Sequence, residues 1–548
     1  MTVPLIPGNG ETLIEGDARP RLESDVLPNY LRPQRWFAGK ARAIKSARVV
    51  DASPPGTVSG STRLVIVEVA YDDGPPEPYF VPLHIAARSP AEPDSREEQR
   101  TVLARLEGGA FLIDALVDDP TCEALLAIIE RGQSIATARG AIKGTTTAAF
   151  YDDARGPREV AWKIFHGAVE QSNSVIIYGD RFLMKVFRRL EPGLNPDFEI
   201  GRFLAERTPF DRAPKCAGLI EYERPGAEPI TLAILQEFVR NQGTGWEHAL
   251  GLLAKFYAGV ADRPGPPASI AIDRASLLDL ASAPIAAEVS EAIGEYLPSA
   301  RTLGRRTAEL HLALASDPTV PAFAPEPLST EDLARITSEA RAQAETSLGV
   351  LRTKVDGLKE PTAEMARGVM EGVPPVLAKL EGLPNRMPGA FKIRCHGDYH
   401  LGQVLWSDND FVVLDFEGEP SKPLARRREK ETPLKDVVGM LRSFDYAAYA
   451  GLFAFAQDRP DDFDRLIPWA RIWASWTSAV FLREYLTTVG DAKLLPPDRA
   501  DVARLLQSLT LEKALYELLY ELNNRPDWVR IPLQGILALV EQKQGRLT

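Results

Sequence analysis

Two apolar, β-prone runs stand near the start of the chain, residues 63–71 (RLVIVEVAY) and 79–86 (YFVPLHIA), with the turn-forming DDGPPEP between them. That pattern predicts an antiparallel hairpin. Residues 90–94 read as a linker, and 95–132 take on helical spacing. Short strand-like segments follow at 145–151, 161–166, 174–178, 182–187 and 231–239. A helix over 196–206 lies among them and opens on Pro196, a favoured first-turn residue. Beyond Gly245 the spacing is helical, with Pro/Gly-rich breaks at 264–267, 318–327 and 383–389 and one β-like island at 391–416. No internal repeat is present. The layout predicts an α+β chain with a β-rich N-terminal unit over 22–90, a sheet-bearing region over 95–240 and a large helical region over 241–548.

At 548 residues the chain exceeds one ordinary core. A net charge of −12 argues against a nucleic-acid binder, since the one dense basic run, Arg426 to Arg428, is followed at once by Glu429, Lys430 and Glu431. The three cysteines, Cys122, Cys216 and Cys395, are far apart and form no CxxC pair, which predicts neither disulfides nor a zinc site and suits a reducing cytoplasm. The N-terminal residues lack a signal-peptide pattern. Apolar windows such as 249–261 are short and carry Lys255, so no bilayer span and no membrane partner is expected.

The chemistry concentrates in IRCHGDYHLGQVLWSDNDFVVLDFEGEP, from Ile393. Asp398 and Asp415 flank a short apolar hairpin whose turn is 407–410. Phosphoryl transfer to a hydroxyl needs a carboxylate to take the proton and oxygen ligands to hold Mg²⁺ against phosphates. Protein kinases arrange these groups as H-x-D-x-x-x-x-N, a hairpin, then D-F-G. Here His396-x-Asp398 precedes Gln403, and Asp415-Phe416-Glu417-Gly418 follows. Gln403 stands where asparagine is usual, and Glu417 interrupts the last triplet. The expected roles are Asp398 as base and Gln403 and Asp415 as metal ligands. An acidic hairpin loop without chemistry would need fewer coincident features.

No P-loop or glycine-rich kinase loop occurs. The segment Glu170-Gln171-Ser172-Asn173-Ser174 between two strands is the candidate phosphate loop, with Ser172, Asn173 and Ser174 as donors. Lys185 in FLMKVF is the candidate phosphate-binding lysine, with Glu199 as its predicted partner. Glu237 and Val239, at the end of the last strand, are the expected adenine hinge.

These blocks, together with LPNYLRPQRWFAGKARAI, PLKDVVGMLRSFDYAAY and EKALYELLYELNNRPDWVRIPLQGI, resemble the maltokinase family of aminoglycoside-phosphotransferase-like kinases. The resemblance runs nearly the whole chain from Leu27. It implies a two-lobed, eukaryotic-protein-kinase-like fold with an N-terminal β-rich cap and a large helical C-lobe. It also implies transfer of the ATP γ-phosphate, with Mg²⁺, to the anomeric hydroxyl of maltose, giving maltose 1-phosphate for α-1,4-glucan synthesis. Similar modules occur fused behind trehalose synthase, so association with that enzyme is a further expectation. Glucosamine kinases share many of these blocks. Glucosamine, another sugar or an aminoglycoside therefore stays open as acceptor, as does a pseudokinase partner of trehalose synthase.

In residues 511–522, Lys513, Tyr516, Glu517, Tyr520 and Glu521 share one face at helical spacing, and Leu515, Leu518, Leu519 and Leu522 another. Aromatic rings beside charged groups suit a sugar, with its apolar faces and hydroxyl rim; the same spacing suits a plain amphipathic helix. The resemblance favours Lys513, Tyr516, Tyr520 and Trp528 as sugar contacts. His400, two positions after the expected base, is either a sugar contact or a loop histidine bonded to backbone.

Overall fold

The computed structural model describes residues 3–6, 13–14, 16, 18–91, 95–151, 162–167, 173–263, 265–267, 276–380, 387 and 389–541. The chain divides into two compact units, Met1–Glu206 with Pro214–Arg240 and Pro423–Ala425, and Arg207–Ala213 with Asn241–Lys422 and Arg426–Thr548.

Among the described residues the first unit carries three sheets. Strand β1 is Leu5–Ile6, and β2 (Ile44–Ala52), β3 (Val65–Tyr71) and β4 (Glu77–Phe80) form a three-stranded antiparallel sheet in that order. The predicted strand 79–86 is two strands: β4 ends before Pro82, and β5 (Leu83–Ala86) joins a different sheet. Proline has no N–H to continue the ladder, which explains the break. The expected helix over 95–132 is likewise corrected. A short helix Arg96–Thr101 leads into the hairpin β6 (Val102–Leu106) and β7 (Phe111–Asp114), and only α1 (Asp119–Glu130) is a full helix. Its N-terminus is capped by Asp118, which accepts from the Thr121 N–H. The four-stranded sheet runs β1-β6-β7-β5, so it crosses the expected linker at 90–94, and a boundary at residue 90 would cut it.

The third sheet holds seven strands in the order β10-β11-β12-β14-β13-β9-β8. These are β8 (Ser134–Ala136), β9 (Ala141–Thr146), β10 (Ile164–His166), β11 (Asn173–Tyr178), β12 (Phe182–Phe187), β13 (Cys216–Glu223) and β14 (Ile230–Glu237). The strand expected at 145–151 thus lies earlier and gives way to a 3₁₀ turn at Ala148–Phe150. Gly144 explains the placement of β9. A Cβ there would sit 2.1 Å from the Ile128 carbonyl oxygen, so only glycine lets the strand lie this close to α1. The helix α2 (Pro196–Arg207) follows β12. One apolar core lies beneath this sheet and a second, rich in Trp36, Phe37, Tyr71 and Tyr79, fills the N-terminal sheets.

The second unit is helical. Helix α3 (Gly245–Val260) begins with a capping box between Thr244 and Glu247. It is followed by α4 (Leu297–Leu314), α5 (Thr330–Lys354), α6 (Thr362–Leu380), α7 (Leu434–Ala456), α8 (Phe463–Val489), α9 (Arg499–Asn524) and α10 (Arg530–Glu541). The short pair β15 (Glu326–Pro327) and β16 (Phe391–Lys392) precedes the hairpin β17 (Val404–Ser407) and β18 (Asp410–Val413). Helices α5, α6, α9 and α10 enclose a common core in which Leu515 and Leu518 are fully buried. The three cysteines are buried and unbridged. Among the described residues no helix is long and apolar enough to cross a membrane.

Candidate active site

The expected catalytic segment is built around a clamp. Asp436, in the first turn of α7, is 1% exposed. Its carboxylate accepts from the His396 N–H (2.7 Å) and the Gly397 N–H (2.9 Å) and also from His311 Nε2 on α4 (3.1 Å). Burial disfavours the charged carboxyl, but the hydrogen bonds from His311 and the Gly397 N–H, with the adjacent His311 and His396 rings, outweigh it and hold its pKa below the ordinary value. His396 then ties the loop to the hairpin, donating from Nε2 to the Leu414 carbonyl (2.7 Å) while Nδ1 accepts from the Asp398 N–H (3.4 Å). Both ends of the reacting segment are therefore fixed through one imidazole.

Gln403 and Asp415 are brought together. Gln403 Nε2 donates to Asp415 Oδ2 at 2.9 Å, and the Leu414 N–H donates to the Gln403 carbonyl. Asp415 has φ +64°, an uncommon conformation for a residue with a side chain and one often kept at functional sites. A carboxylate beside an amide oxygen is the hard donor set that suits Mg²⁺.

Asp398 lines a cavity of about 580 Å³ together with His400, Glu419, Lys513, Tyr516, Glu517, Tyr520, Glu521 and Trp528. This volume lies within the range of small-molecule sites. His400 Nδ1 accepts from the Gly402 N–H (3.0 Å), and burial lowers the imidazole's pKa, so the ring is neutral and its Nε2 carries the proton. His400 is thus bonded to backbone through one nitrogen and also lines the cavity. Burial works against the Lys513 ammonium, but Asp398, Glu517, Glu419 and Glu512 outweigh it and raise its pKa. Tyr446 and Trp528 stack at 6.4 Å, and the Arg525 guanidinium lies 4.8 Å from the Trp528 ring.

Two of the acids on the α9 face are already engaged. Glu517 Oε2 accepts from Arg442 Nε (2.9 Å) and Nη2 (2.7 Å). Glu521, expected as a sugar ligand, accepts from Tyr446 and Arg525 through both oxygens, so its carboxylate braces the wall. The two bonds to Glu517 tie Arg442 on α7 to α9, and Arg442 also reaches Asp445 (2.6 Å) on its own helix.

The nucleotide-side candidates belong to the first unit. Lys185 is 6% exposed, and its Nζ lies 3.4 Å from Asp197 Oδ2. Asp197, two residues before the expected partner Glu199 on α2, supplies the carboxylate of this ion pair. Gln236 Nε2 donates to its other oxygen (3.4 Å). Ser172 lies outside the described residues. Asn173 and Ser174 are in β11 rather than in a loop, and Ser174 Oγ accepts from Arg188 Nε (2.8 Å), so its hydroxyl is tied within its own unit. Glu237 ends β14, and its N–H donates to the Lys215 carbonyl (2.9 Å), which removes that donor from an adenine edge. Val239 follows, one residue before the boundary between the units at Arg240.

Residues 162–418 match the phosphotransferase enzyme family, and residues 30–118 match the maltokinase N-terminal cap domain. The chain thus carries a maltokinase-type cap followed by a phosphotransferase-family domain. A glucosamine kinase of Streptacidiphilus jiangxiensis is 26% identical over 427 residues, covering 78% of this chain and 82% of that protein. A second, from Mycolicibacterium smegmatis, is 26% identical over 394 residues, 71% of this chain and 81% of that one. The fold is the mixed α+β kinase-like one. A glucosamine kinase solved with glucosamine, ADP and inorganic phosphate superposes with a TM-score of 0.59 at 22% identity, covering 93% of this chain and 98% of that one. Another crystal form of a glucosamine kinase gives 0.61 at 24% identity, covering 97% and 100%.

The cap match ends at residue 118, after β7, which agrees with the sheet that crosses residues 90–94. The sequence reading missed Asp436, His311 and Asp197, and two residues that line the cavity, Glu419 and Trp246. The first two are far from His396 along the chain, and no local pattern announces them. Asp197 carries a signal, since it shares the first turn of α2 with Glu199.

Proposed function

We propose that this phosphotransferase is an ATP-dependent sugar kinase whose acceptor is the anomeric hydroxyl of maltose. The observation that carries the reading is the cavity that joins Asp398 to the aromatic and charged face of α9. Asp398 orients the acceptor hydroxyl and takes its proton. The neutral His400 offers an N–H, and Lys513 offers a cation to sugar oxygens. Tyr516, Tyr520 and Trp528 present ring faces to the apolar side of pyranose rings. Gln403 and Asp415 would hold a magnesium ion, which supplies neutralisation of phosphate charge when bound. Lys185, oriented by Asp197, would bind the nucleotide phosphates.

A specific charge pattern favours a neutral acceptor. If glucosamine reacted at the same anomeric hydroxyl, its C2 ammonium would stand one carbon from the reacting one and bring a second cation close to Asp398, where Lys513 already stands. Glu517 and Glu521 are spent on Arg442 and Arg525, and Glu419 lies 2.9 Å from Lys422. The second reading, an amino-sugar kinase, rests on the relatives named glucosamine kinase. Incubation with ATP, Mg²⁺ and each sugar, followed by ³¹P and ¹³C NMR of the product, separates them. Maltose phosphorylated at C1 in preference to glucosamine is the expected result; turnover of glucosamine alone overturns the maltose reading, and no turnover of any sugar overturns the kinase reading.

A further inference from the structure

Arg188 follows β12 directly and is 3% exposed. Three groups from the cap converge on it. Its Nη2 donates to Asp114 Oδ2 (2.6 Å), an oxygen that also accepts from the Tyr30 hydroxyl (2.7 Å). Its guanidinium lies 4.9 Å from the Trp36 ring. On its other side, Nε donates to Ser174 Oγ at the start of β11. The backbone repeats the tie, since the Phe80 N–H donates to the Arg188 carbonyl (2.8 Å) and the Leu190 N–H to that of Pro78 (2.9 Å).

The strands held in this way frame Lys185. Ser174 pairs with Val186 and Val175 with Lys185, so Arg188 touches the strand that carries the lysine and the strand beside it. The guanidinium–carboxylate pair is buried on both sides, at 3% and 4% side-chain exposure. Desolvation offsets most of the attraction in such a pair, so its main product is a defined geometry rather than stability. That geometry is imposed on the strand ends next to the expected phosphate loop.

We propose that Arg188 is a positioning residue through which the cap sets the protein's affinity for ATP. The inference rests on the kinase reading above. Neither Asp114 nor Tyr30 belongs to the seven-stranded sheet, yet removing either would change where Ser174 and Lys185 stand relative to each other. Lysine cannot replace Arg188, because it lacks the fork that reaches Asp114 and Ser174 together.

The test uses the full-length protein and four forms: wild type, Asp114→Asn, Arg188→Lys and Tyr30→Phe. Each is titrated with a fluorescent ATP analogue, assayed for KM of ATP and of the acceptor sugar, and melted. Asp114→Asn and Arg188→Lys are expected to weaken analogue binding and raise the KM for ATP about tenfold, the loss of one charge-assisted hydrogen bond. Tyr30→Phe, the mildest change, is expected to give about threefold in the same direction, and it keeps the test decisive if the other two fail to fold. The KM for the sugar should stay within about twofold in all. If the wild type binds the analogue and the folded variants bind it equally well, the proposal is overturned. A fall in melting temperature with both KM values unchanged, or moving together, also overturns it, because that is what a purely structural pair would do. A wild type that binds no analogue instead overturns the kinase reading.

Discussion

Replacing Asp436 by asparagine keeps the shape of the side chain and removes half of its function. The carboxylate accepts three hydrogen bonds, from His396, Gly397 and His311, and an amide can accept at only one of its two terminal atoms. The amide NH₂ must then face at least one N–H that points at it. A hydrogen bond to a charged group contributes about 1.5–3 kcal/mol, and a buried donor left unpaired costs about 1–3 kcal/mol. Some relief by rotation of His311 leaves a net loss of about 3 kcal/mol. At about 2 °C per kcal/mol for a large domain, the melting temperature should fall by about 6 °C. The larger effect is on catalysis. The two N–H groups belong to the residues just before Asp398, and a displacement of about 1 Å in a reacting group costs about a hundredfold in rate. Steady-state kinetics should show kcat reduced about a hundredfold, with the KM for ATP within about twofold. Differential scanning fluorimetry at saturating ATP separates the stability loss from the rate loss. A variant that melts earlier but keeps kcat within about threefold would refute the reasoning, because the loop would then hold its place without the clamp.

The same carboxylate makes stability depend on pH. Its folded pKa lies below its unfolded one, so its contribution is complete above the unfolded carboxylate range of about pH 4 and disappears as pH falls through the folded value. Melting curves of wild type and Asp436→Asn should therefore converge toward acid pH; a gap that stays constant would remove the charge from the explanation. Asp398→Asn should lower turnover by about a thousandfold, within the span of general-base effects, and leave nucleotide-analogue binding and melting temperature unchanged. Retained turnover would mean that another group takes the proton. Glu517→Gln leaves the buried Arg442 short of its main partner and should cost about 3–5 kcal/mol in urea unfolding. Gly535→Ala should cost about 1–3 kcal/mol, because its Cβ would lie 2.3 Å from Arg442 Nη1, a group held in place by Glu517 and Asp445; an unchanged midpoint would show that the guanidinium can move aside.

The parts of the site that were legible in the sequence are the ones written locally. His396 to Asp415 carries its hairpin and both acids within one short stretch, and the α9 face follows from helical spacing alone. The structure sets Asp398, His400, Lys513, Tyr516, Tyr520 and Trp528 around one cavity. What failed was either long-range or badly punctuated. Asp436 meets His396 across 40 positions of chain, a contact no periodicity encodes. The hairpin β6–β7 reads as helix in the sequence because its strands are short, although Gly108-Gly109 marks its turn and Gly109 has φ +85°. Strand β4 was run through Pro82 despite the missing donor. Lys185 meets Asp197, an acid on the same helix turn as the expected Glu199, and the helical spacing alone does not single it out.

Helix α9 asks two different things of adjacent positions. Glu517 and Glu521 are locked to α7 and to Arg525, whereas Tyr516 borders the cavity and Tyr520 is 46% exposed. Divergence of the acceptor among descendants of this protein thus has a cheap path and an expensive one. Exchanges at 516 and 520 can reshape the sugar's surroundings without loosening the scaffold, while exchanges at 517 or 521 require a matching change on the neighbouring helix. A lineage that changes its sugar is expected to drift at the first pair of positions and to hold the second.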